Sequence, residues 1–248
     1  MSDFPYATNQ KLDQTATLGL VVLKADETIE LDFRRLINAD IALHISRIES
    51  DPQVTSAALM KMKDRLTGAA SLFPDTSEFD CVAYACTSGT SVIGQDEVAL
   101  RIGQGCTTKS VTDPVTALIA ACDHLKIQKL AILSPYVEDV SAALRGVLSK
   151  HNISAPEFGS FNEADEARVV RIDEQSIFNA AVQLVQATDA LFISCTNLRT
   201  LGVIEKIENE IGKPVLTSNQ VLAWHMMTCA EVDIGVEGFG RLLKPTSP

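Results

Sequence analysis

Two segments of the chain repeat one another, and each leads into a cysteine. Residues 80–88 and 189–197 both read Asp, five mainly apolar residues, Cys-Thr and a small polar residue. Short apolar runs of this kind are typical of buried parallel strands. The polar pair after each cysteine is typical of the cap of a following helix. The repeat therefore predicts two equivalent strands, with Cys86 and Cys195 at their carboxyl ends and each thiol beside a helix N-terminus.

The rest of the chain alternates apolar runs of strand length with longer segments of helical periodicity. Besides the two repeats, strands are predicted at 18–23, 41–48, 130–133 and 214–216, and helices at 29–39, 55–72, 115–125, 137–151, 177–187, 203–211 and 218–227. This alternation predicts an α/β fold with parallel sheets. The duplication predicts two similar domains with the functional cleft between them. We expect the first domain to comprise residues 1–113 and 218–248 and the second 114–217, with an irregular polar arm over about residues 1–16.

Composition narrows the class of partner. The chain has 248 residues, 32 of them acidic and 21 basic, which gives a formal net charge of −11. Such a surface argues against nucleic acid and anionic membranes as partners. No signal peptide and no apolar run long enough to span a bilayer is visible, so we expect a cytoplasmic protein. Self-association into a homo-oligomer is left open.

Phosphate-binding and metal-ligand patterns are missing from the sequence. It contains no G-x-G-x-x-G, no P-loop and no C-x-x-C pair, and its four histidines lack metal-ligand spacing. We therefore expect neither cofactor nor metal, and chemistry done by side chains alone.

The two repeated cysteines are the strongest candidates for chemistry. Ligands of open α/β sheets bind at the carboxyl ends of the strands, so facing halves would bring Cys86 and Cys195 to one cleft. A helix N-terminus lowers the pKa of a thiol, and two opposed thiols suit acid and base work on one carbon. A Cys86–Cys195 disulfide is the structural alternative, which a reducing cytosol disfavours. The other four cysteines are expected to be structural.

Polar residues near the predicted strand ends are candidates for binding a carboxylate. Hydroxyl, amide and backbone N–H groups can hold carboxylate oxygens as negative charge develops on them. The residues after each cysteine that could do so, or could simply cap helices, are Thr87, Ser88, Thr196 and Asn197. Three further candidates in neighbouring loops are Tyr136, Asn162 and Asp26, with packing or a solvated surface position as the alternative for each.

These motifs resemble a known family. The strand-Cys-Thr-Ser and strand-Cys-Thr-Asn segments and the Ser-Pro-Tyr turn are similar to the aspartate/glutamate racemase superfamily, within it to the branch of maleate cis-trans isomerases and arylmalonate decarboxylases. The resemblance implies two flavodoxin-like domains and cofactor-free chemistry at their interface. It implies that Cys86 and Cys195 are the catalytic pair. It also implies that substrate carboxylate oxygens are held by Thr87, Ser88, Tyr136, Thr196 and Asn162.

Two details of the resemblance bear on the substrate. The decarboxylases carry glycine at the first cysteine position, so Cys86 makes the chain resemble the two-thiol isomerases and racemases. Maleate isomerases carry Pro-Ser-Ser-Asn after the first strand, whereas residues 23–26 read Leu-Lys-Ala-Asp. Asp26 would repel a substrate carboxylate and favour an ammonium group, unless Lys24 pairs with it. The wider pattern also resembles the racemase-like protein of ectoine utilisation, which would imply a diaminobutyrate-type amino acid.

The sequence thus favours a cofactor-independent racemase or isomerase of a small carboxylate or amino acid, such as a diaminobutyrate-type or Asp/Glu-like substrate. Maleate cis-trans isomerisation through addition of Cys86 to the double bond is the first alternative. Arylmalonate-type decarboxylation and a non-catalytic protein that binds a small carboxylate are the others.

Overall fold

Eight strands form two sheets that are built alike. The computed structural model describes residues 1, 3–8, 14–233 and 236–244. The strands are β1 (Ala16–Leu23), β2 (Ile41–Ile48), β3 (Cys81–Ala85), β4 (Val111–Thr112), β5 (Lys129–Ser134), β6 (Ser154–Ser160), β7 (Ala190–Ile193) and β8 (Val215–Thr217). The first sheet has the order β2-β1-β3-β4 and the second β6-β5-β7-β8, and every pairing between these strands is parallel. The predicted pair of pseudo-symmetric parallel α/β halves is confirmed.

Helices connect successive strands. They are α1 (Ile29–Leu36), α2 (Ser56–Lys61), α3 (Leu66–Ala70), α4 (Thr87–Ile93), α5 (Gln95–Gly103), α6 (Pro114–Leu125), α7 (Glu138–Lys150), α8 (Glu166–Val169), α9 (Glu174–Leu184), α10 (Ile204–Ile211) and α11 (Ser218–Cys229), with 3₁₀ turns at Met62–Arg65 and Arg241–Leu243. In the described part of the chain no helix combines the length and apolarity that crossing a membrane requires.

The central strands are fully buried, as their uniformly apolar sequences require. β3 lies between β1 and β4, with Val22 opposite Ala85, and all five of its residues are buried. β7 lies between β5 and β8 in the same way and is buried throughout. Both faces of each strand are therefore covered, which is the normal setting of a parallel sheet.

The strand order places a switch point in each sheet. From β1 the chain moves outward to β2, then crosses back to β3 and continues to β4, and the second sheet repeats this path. The loops after β1 and β3 therefore flank one crevice, and those after β5 and β7 flank its counterpart. Ligands of open α/β sheets bind at such crevices.

Helix α11 joins the two halves. It follows β8 of the second sheet directly and packs against α6, β3 and α1, so the chain returns to the first sheet. Its N-terminus is fixed by a capping box in which Thr217 and Gln220 exchange hydrogen bonds. The predicted domain boundaries remain a prediction. The first predicted domain includes residues 2, 9–13, 234–235 and 245–248, which lie outside the described residues, and part of the predicted N-terminal arm is among them.

Several elements differ from the sequence prediction: α5, α8 and β4 were not predicted, and α1 ends at Leu36 instead of residue 39. β6 was not predicted, because Pro156 and Gly159 interrupt its apolar pattern; it is an edge strand, where proline is tolerated. The single helix predicted over 55–72 is divided by the 3₁₀ turn at Met62–Arg65. The helix predicted immediately after Cys195 is absent: turns follow, and α10 begins only at Ile204.

Candidate active site

One pocket collects side chains from equivalent loops of both halves. Asp26 follows β1, Cys86 follows β3, Tyr136 follows β5 and Cys195 follows β7, so each crevice contributes a polar side chain and a thiol. The pocket is narrow, and the two thiols and several polar side chains converge on it. Its described lining consists of Leu23, Asp26, Cys86, Thr87, Ser88, Tyr136, Glu166, Cys195, Thr196 and Asn197.

An adjoining cavity extends the pocket towards α2. The two cavities share Cys86, Ser88, Tyr136 and Glu166, among others. The extension is lined by apolar side chains and by three polar ones, and includes Ser50, Asp51, Gln53, Val54, Leu59 and Met62. The pocket therefore continues from Cys86 towards α2, between apolar and polar side chains.

Cys86 lies at the start of α4, as predicted. It is the N-cap residue, and its Sγ accepts a hydrogen bond from the Gly89 N–H at 3.1 Å. Burial nevertheless raises its pKa to about 12, because this bond only partly offsets the loss of solvent and the nearby Glu166 carboxylate adds to the rise. The hydrogen bond at the helix N-terminus thus lowers the pKa of this thiol as expected, but burial outweighs it.

Cys195 sits in a tight turn rather than at a helix. Its φ is 119°, a conformation that side chains rarely adopt and that costs about 1–3 kcal/mol. Two bonds hold this backbone: the Cys195 N–H donates to Ser218 Oγ at 2.9 Å, and the Asn197 N–H donates to Cys195 Sγ at 3.3 Å. Burial, and then the charge of Glu166, raise the pKa of the Cys195 thiol well above its ordinary value.

Glu166 is a pocket residue that the sequence did not reveal. It is buried at the first position of the short helix α8, where its Oε1 accepts from the Tyr136 hydroxyl at 2.6 Å and its Oε2 from Asn197 Nδ2 at 2.7 Å. The Tyr136 hydroxyl also contacts Cys195 Sγ at 3.0 Å. Burial raises the pKa of Glu166 despite these two bonds. The only sequence signal was a glutamate after the potential cap Asp165, a pattern common on protein surfaces.

Asp26 presents one carboxylate oxygen to the pocket. Its Oδ1 accepts from the N–H groups of Thr28 and Ile29, both at 2.8 Å, which caps α1. Its Oδ2 is buried and has no hydrogen-bond partner among the described residues. Burial raises the Asp26 pKa; the two backbone bonds, the nearby Thr196 hydroxyl and the charge of Arg47 offset this only in part. Lys24 is exposed, and the described residues contain no ion pair between it and Asp26.

Hydroxyl groups complete the lining. Thr87 Oγ1 and Ser218 Oγ share a hydrogen bond at 2.8 Å, which links the loop after β3 to the start of α11. The Thr196 hydroxyl donates to the Ala85 carbonyl at 3.3 Å and so joins the two cysteine loops. Ser88 is buried and faces both cavities. Thr87, Ser88 and Thr196 therefore lie where the sequence placed them.

The two predicted asparagines behave differently. Asn197 lines the pocket, but its amide is occupied: Oδ1 accepts from the Glu27 N–H at 2.9 Å while Nδ2 donates to Glu166. Asn162 is exposed and is not part of the lining; its own N–H donates to Ser160 Oγ at 2.8 Å. The structure thus brings together eight of the nine predicted site residues and leaves Asn162 outside.

A second group of thiols lies away from the pocket. All six cysteines are free, so the proposed Cys86–Cys195 disulfide is absent from this structure. Hydrogen bonding with Cys81, then with His225, lowers the pKa of the half-buried Cys229 below its usual range. Among the described residues, no group of histidine, cysteine and acidic side chains is arranged to hold a metal ion.

Comparison with known proteins places the chain in a family. The family model described as arylmalonate decarboxylase matches residues 95–243, more than half of the chain. The chain belongs to the arylmalonate decarboxylase family. This confirms the resemblance carried by the cysteine motifs.

Relatives of this arylmalonate decarboxylase family protein include several maleate isomerases. The maleate isomerase of Nocardia farcinica is 25% identical over 243 residues, which cover 93% of this chain and 96% of the relative. The arylmalonate decarboxylase of Bordetella bronchiseptica is 26% identical over 151 residues, 58% of this chain and 61% of the relative. The crystal structure of the maleate isomerase Iso from Pseudomonas putida S16 shares the fold, with a TM-score of 0.84, 21% identity, and coverage of 92% of this chain and 98% of that one.

Proposed function

We propose that the protein is a cofactor-independent amino-acid racemase in which Cys86 and Cys195 act as base and acid. The observation that carries this proposal is the meeting of both thiols in one small pocket, each from the equivalent loop of its half. One cysteine, as thiolate, removes the α-proton, and the other, as thiol, delivers a proton to the opposite face. The relatives, several of which are isomerases, support this class of reaction.

The charge of the pocket supports an amino acid rather than a dicarboxylate. Asp26 and Glu166 are the charged side chains among the described lining residues, which contain no lysine, arginine or histidine. The unpartnered Oδ2 of Asp26 can accept from a substrate ammonium group. The hydroxyls of Thr87 and Ser88 line the pocket where a substrate carboxylate would lie, while the Thr196 hydroxyl is engaged with the Ala85 carbonyl. The adjoining cavity, with Asp51 in its lining, suits the second ammonium of a diaminobutyrate-type side chain.

Removal of an α-proton requires that the negative charge moving onto the carboxylate be stabilised. Pre-oriented donors in a buried pocket do this more effectively than water, because they need no reorganisation. An ammonium held by Asp26 lies next to the same carbon and would further favour the carbanion. The α-carbon of an amino acid is a weak acid, so its deprotonation needs a strong base. A thiol with a raised pKa gives a strongly basic thiolate once it is ionised, and both cysteines have raised pKa values.

Maleate cis-trans isomerisation is the second candidate, because four curated relatives carry that name. In that reaction Cys86 would add to the double bond, the C–C bond would rotate, and elimination would give the trans acid while Cys195 handles the proton. The structure of a Nocardia farcinica maleate isomerase in which one cysteine is replaced by serine holds a covalently bound succinylcysteine intermediate, which shows such an adduct for that protein. Two acids in the present pocket would oppose a dicarboxylate.

Incubation of the reduced protein in D₂O with amino acids, 2,4-diaminobutyrate among them, and with maleate tests both candidates by proton NMR. We expect the α-proton signal of an amino acid to disappear, and Cys86→Ser and Cys195→Ser each to abolish the exchange. Cys106→Ser makes the same substitution outside the pocket and should leave the rate unchanged. Conversion of maleate to fumarate without amino-acid exchange would reject racemisation in favour of isomerisation; no reaction with either would contradict both.

A further inference from the structure

The hydrogen bonds around Tyr136 fix which group donates and which accepts. Tyr136 Oη lies 2.6 Å from Glu166 Oε1 and 3.0 Å from Cys195 Sγ. An ionised carboxylate can only accept, so the single phenolic proton of Tyr136 is directed at Glu166. The phenol oxygen must then accept at its other contact, and Cys195 donates its S–H to it. Cys195, Tyr136 and Glu166 therefore form one directed chain.

Cys86 has no comparable hydrogen-bonded path to a carboxylate, although a tyrosine also lies beside it. Tyr84 lies beside Cys86, and its hydroxyl donates to Met62 Sδ at 3.5 Å. A thioether cannot take up a proton. Each thiol thus has a tyrosine beside it, Tyr84 from β3 and Tyr136 from the loop after β5, but only Tyr136 leads on to a carboxylate.

We propose that Glu166 takes the proton of Cys195 through the Tyr136 hydroxyl, so that Cys195 is the cysteine that becomes thiolate. The S–H bond of Cys195 breaks as an O–H bond forms at Tyr136 Oη. The original Tyr136 O–H bond breaks, and its proton bonds to Glu166 Oε1. The negative charge moves from the carboxylate to the sulfur, and no proton leaves the protein. This assignment rests on the proposed function, in which one thiolate must be present before the substrate reacts.

The surroundings of Glu166 favour its role as proton acceptor. Its second oxygen is held by Asn197 Nδ2 at 2.7 Å, so the carboxyl group stays aligned with Tyr136. Burial raises the pKa of Glu166, and the negative charge of Glu166 in turn raises that of Cys195. The titratable groups that interact with it are Tyr136, Cys195, Cys86, Asp26 and Asp165. None of these groups carries a positive charge. Glu166 and Cys195 therefore share one negative charge, which lies either on the carboxylate or on the sulfur.

The pH dependence of Cys195 alkylation tests the relay without any substrate. Iodoacetamide reacts with thiolate, and peptide mass spectrometry reports Cys195 alone in a parent that carries Cys86→Ser and Cys229→Ser to remove competing thiols. Because the relay keeps the proton within the protein, the alkylation rate of the parent should level off between about pH 7 and 9. In Glu166→Gln the thiolate forms only by losing its proton to solvent, so the rate should climb about tenfold per pH unit.

Two further variants serve as a second test and as a control. Glu166→Ala also removes the acceptor and should give the same steep profile, and circular dichroism checks that both variants fold. Tyr84→Phe, made in the same parent, is the matched control and should leave the plateau in place. A parent rate that climbs about tenfold per pH unit through neutrality, or a plateau that survives Glu166→Gln, would overturn the proposal. A plateau in a protein that is inactive in D₂O would contradict only the proposed racemisation.

Discussion

The pocket side chains owe their acid–base properties mainly to burial. Cys86 accepts an N–H bond at the start of α4, the arrangement expected to lower the pKa of a thiol, yet its pKa is raised to about 12. Asp26 and Glu166 accept two hydrogen bonds each and still have raised pKa values. Desolvation therefore outweighs local hydrogen bonding at all three positions. The sequence motif identified which residues meet, but not how the closed pocket changes their ionisation.

Replacement of Asp26 by asparagine should change substrate preference. The amide oxygen of the new side chain can still accept from Thr28 and Ile29, so α1 keeps its cap, while the charge facing the pocket is lost. We expect KM for the amino-acid substrate to rise about tenfold or more, because a charge-assisted hydrogen bond contributes about 1.5–3 kcal/mol. Steady-state kinetics would measure it.

The matched control for this change is Glu27→Gln, which neutralises the exposed neighbouring carboxylate in the same loop. It should leave KM unchanged. Equal KM values for wild type and the Asp26→Asn variant would show that Asp26 does not contact the substrate ammonium.

Among the helices and strands, those with regular periodicity were predicted best. The strand Ile41–Ile48 has the predicted bounds, and α6 and α10 differ from prediction by one residue at their N-termini. β6 was not predicted because its apolar pattern is interrupted. α8 was not predicted because a helix of four residues shows too little periodicity. The absence of a helix after Cys195 depends on contacts with Ser218, which the sequence places far away. Long-range contacts of this kind leave no local signal.

Two glycines in helices provide a test of how tightly α4 is packed beneath Cys86. A Cβ at Gly89 would lie 2.5 Å from Tyr84 Oη and 2.9 Å from Cys86 Sγ, whereas one at Gly68 in α3 would meet nothing within 4 Å. We expect Gly89→Ala to lower the free energy of unfolding by about 1–3 kcal/mol through overpacking. Gly68→Ala should raise it by about 0.5–1 kcal/mol through helix propensity. Urea unfolding of both variants measures the difference, and equal stabilities would refute this account of α4.

For the whole molecule, the joint between the halves depends on buried polar contacts. Asn219 Nδ2, at the start of α11, donates to Asp32 Oδ2 in the first half and to the Thr196 carbonyl in the second, both at 2.8 Å. Thr28 Oγ1 donates to the Asn197 carbonyl, also at 2.8 Å. Buried polar groups must be paired, so these contacts hold the halves in one relative position.

Asp32 makes this joint sensitive to pH. Burial raises its pKa from 3.8 to about 6, so the folded state binds more protons than the unfolded state between these values. Stability should therefore fall as pH rises from about 4 to 6. Asp32→Asn can still accept from Asn219, and should remove this fall and raise the free energy of unfolding at pH 7 by about 2 kcal/mol.

Denaturant unfolding at several pH values would measure the effect of Asp32→Asn. The exposed Asp64→Asn variant serves as control and should keep the wild-type pH dependence. An unchanged fall of stability in Asp32→Asn would assign it to another buried acid.

The pocket takes its walls from both halves, with Cys86 on one side of the joint and Cys195 on the other. A molecule bound there fastens the two halves together, and unfolding must first release it. Its binding free energy is therefore added to the stability of the whole chain, by about 2.7 kcal/mol at a hundredfold excess over Kd. The melting temperature becomes a screening signal for the natural substrate, readable from a compound library before any reaction is known.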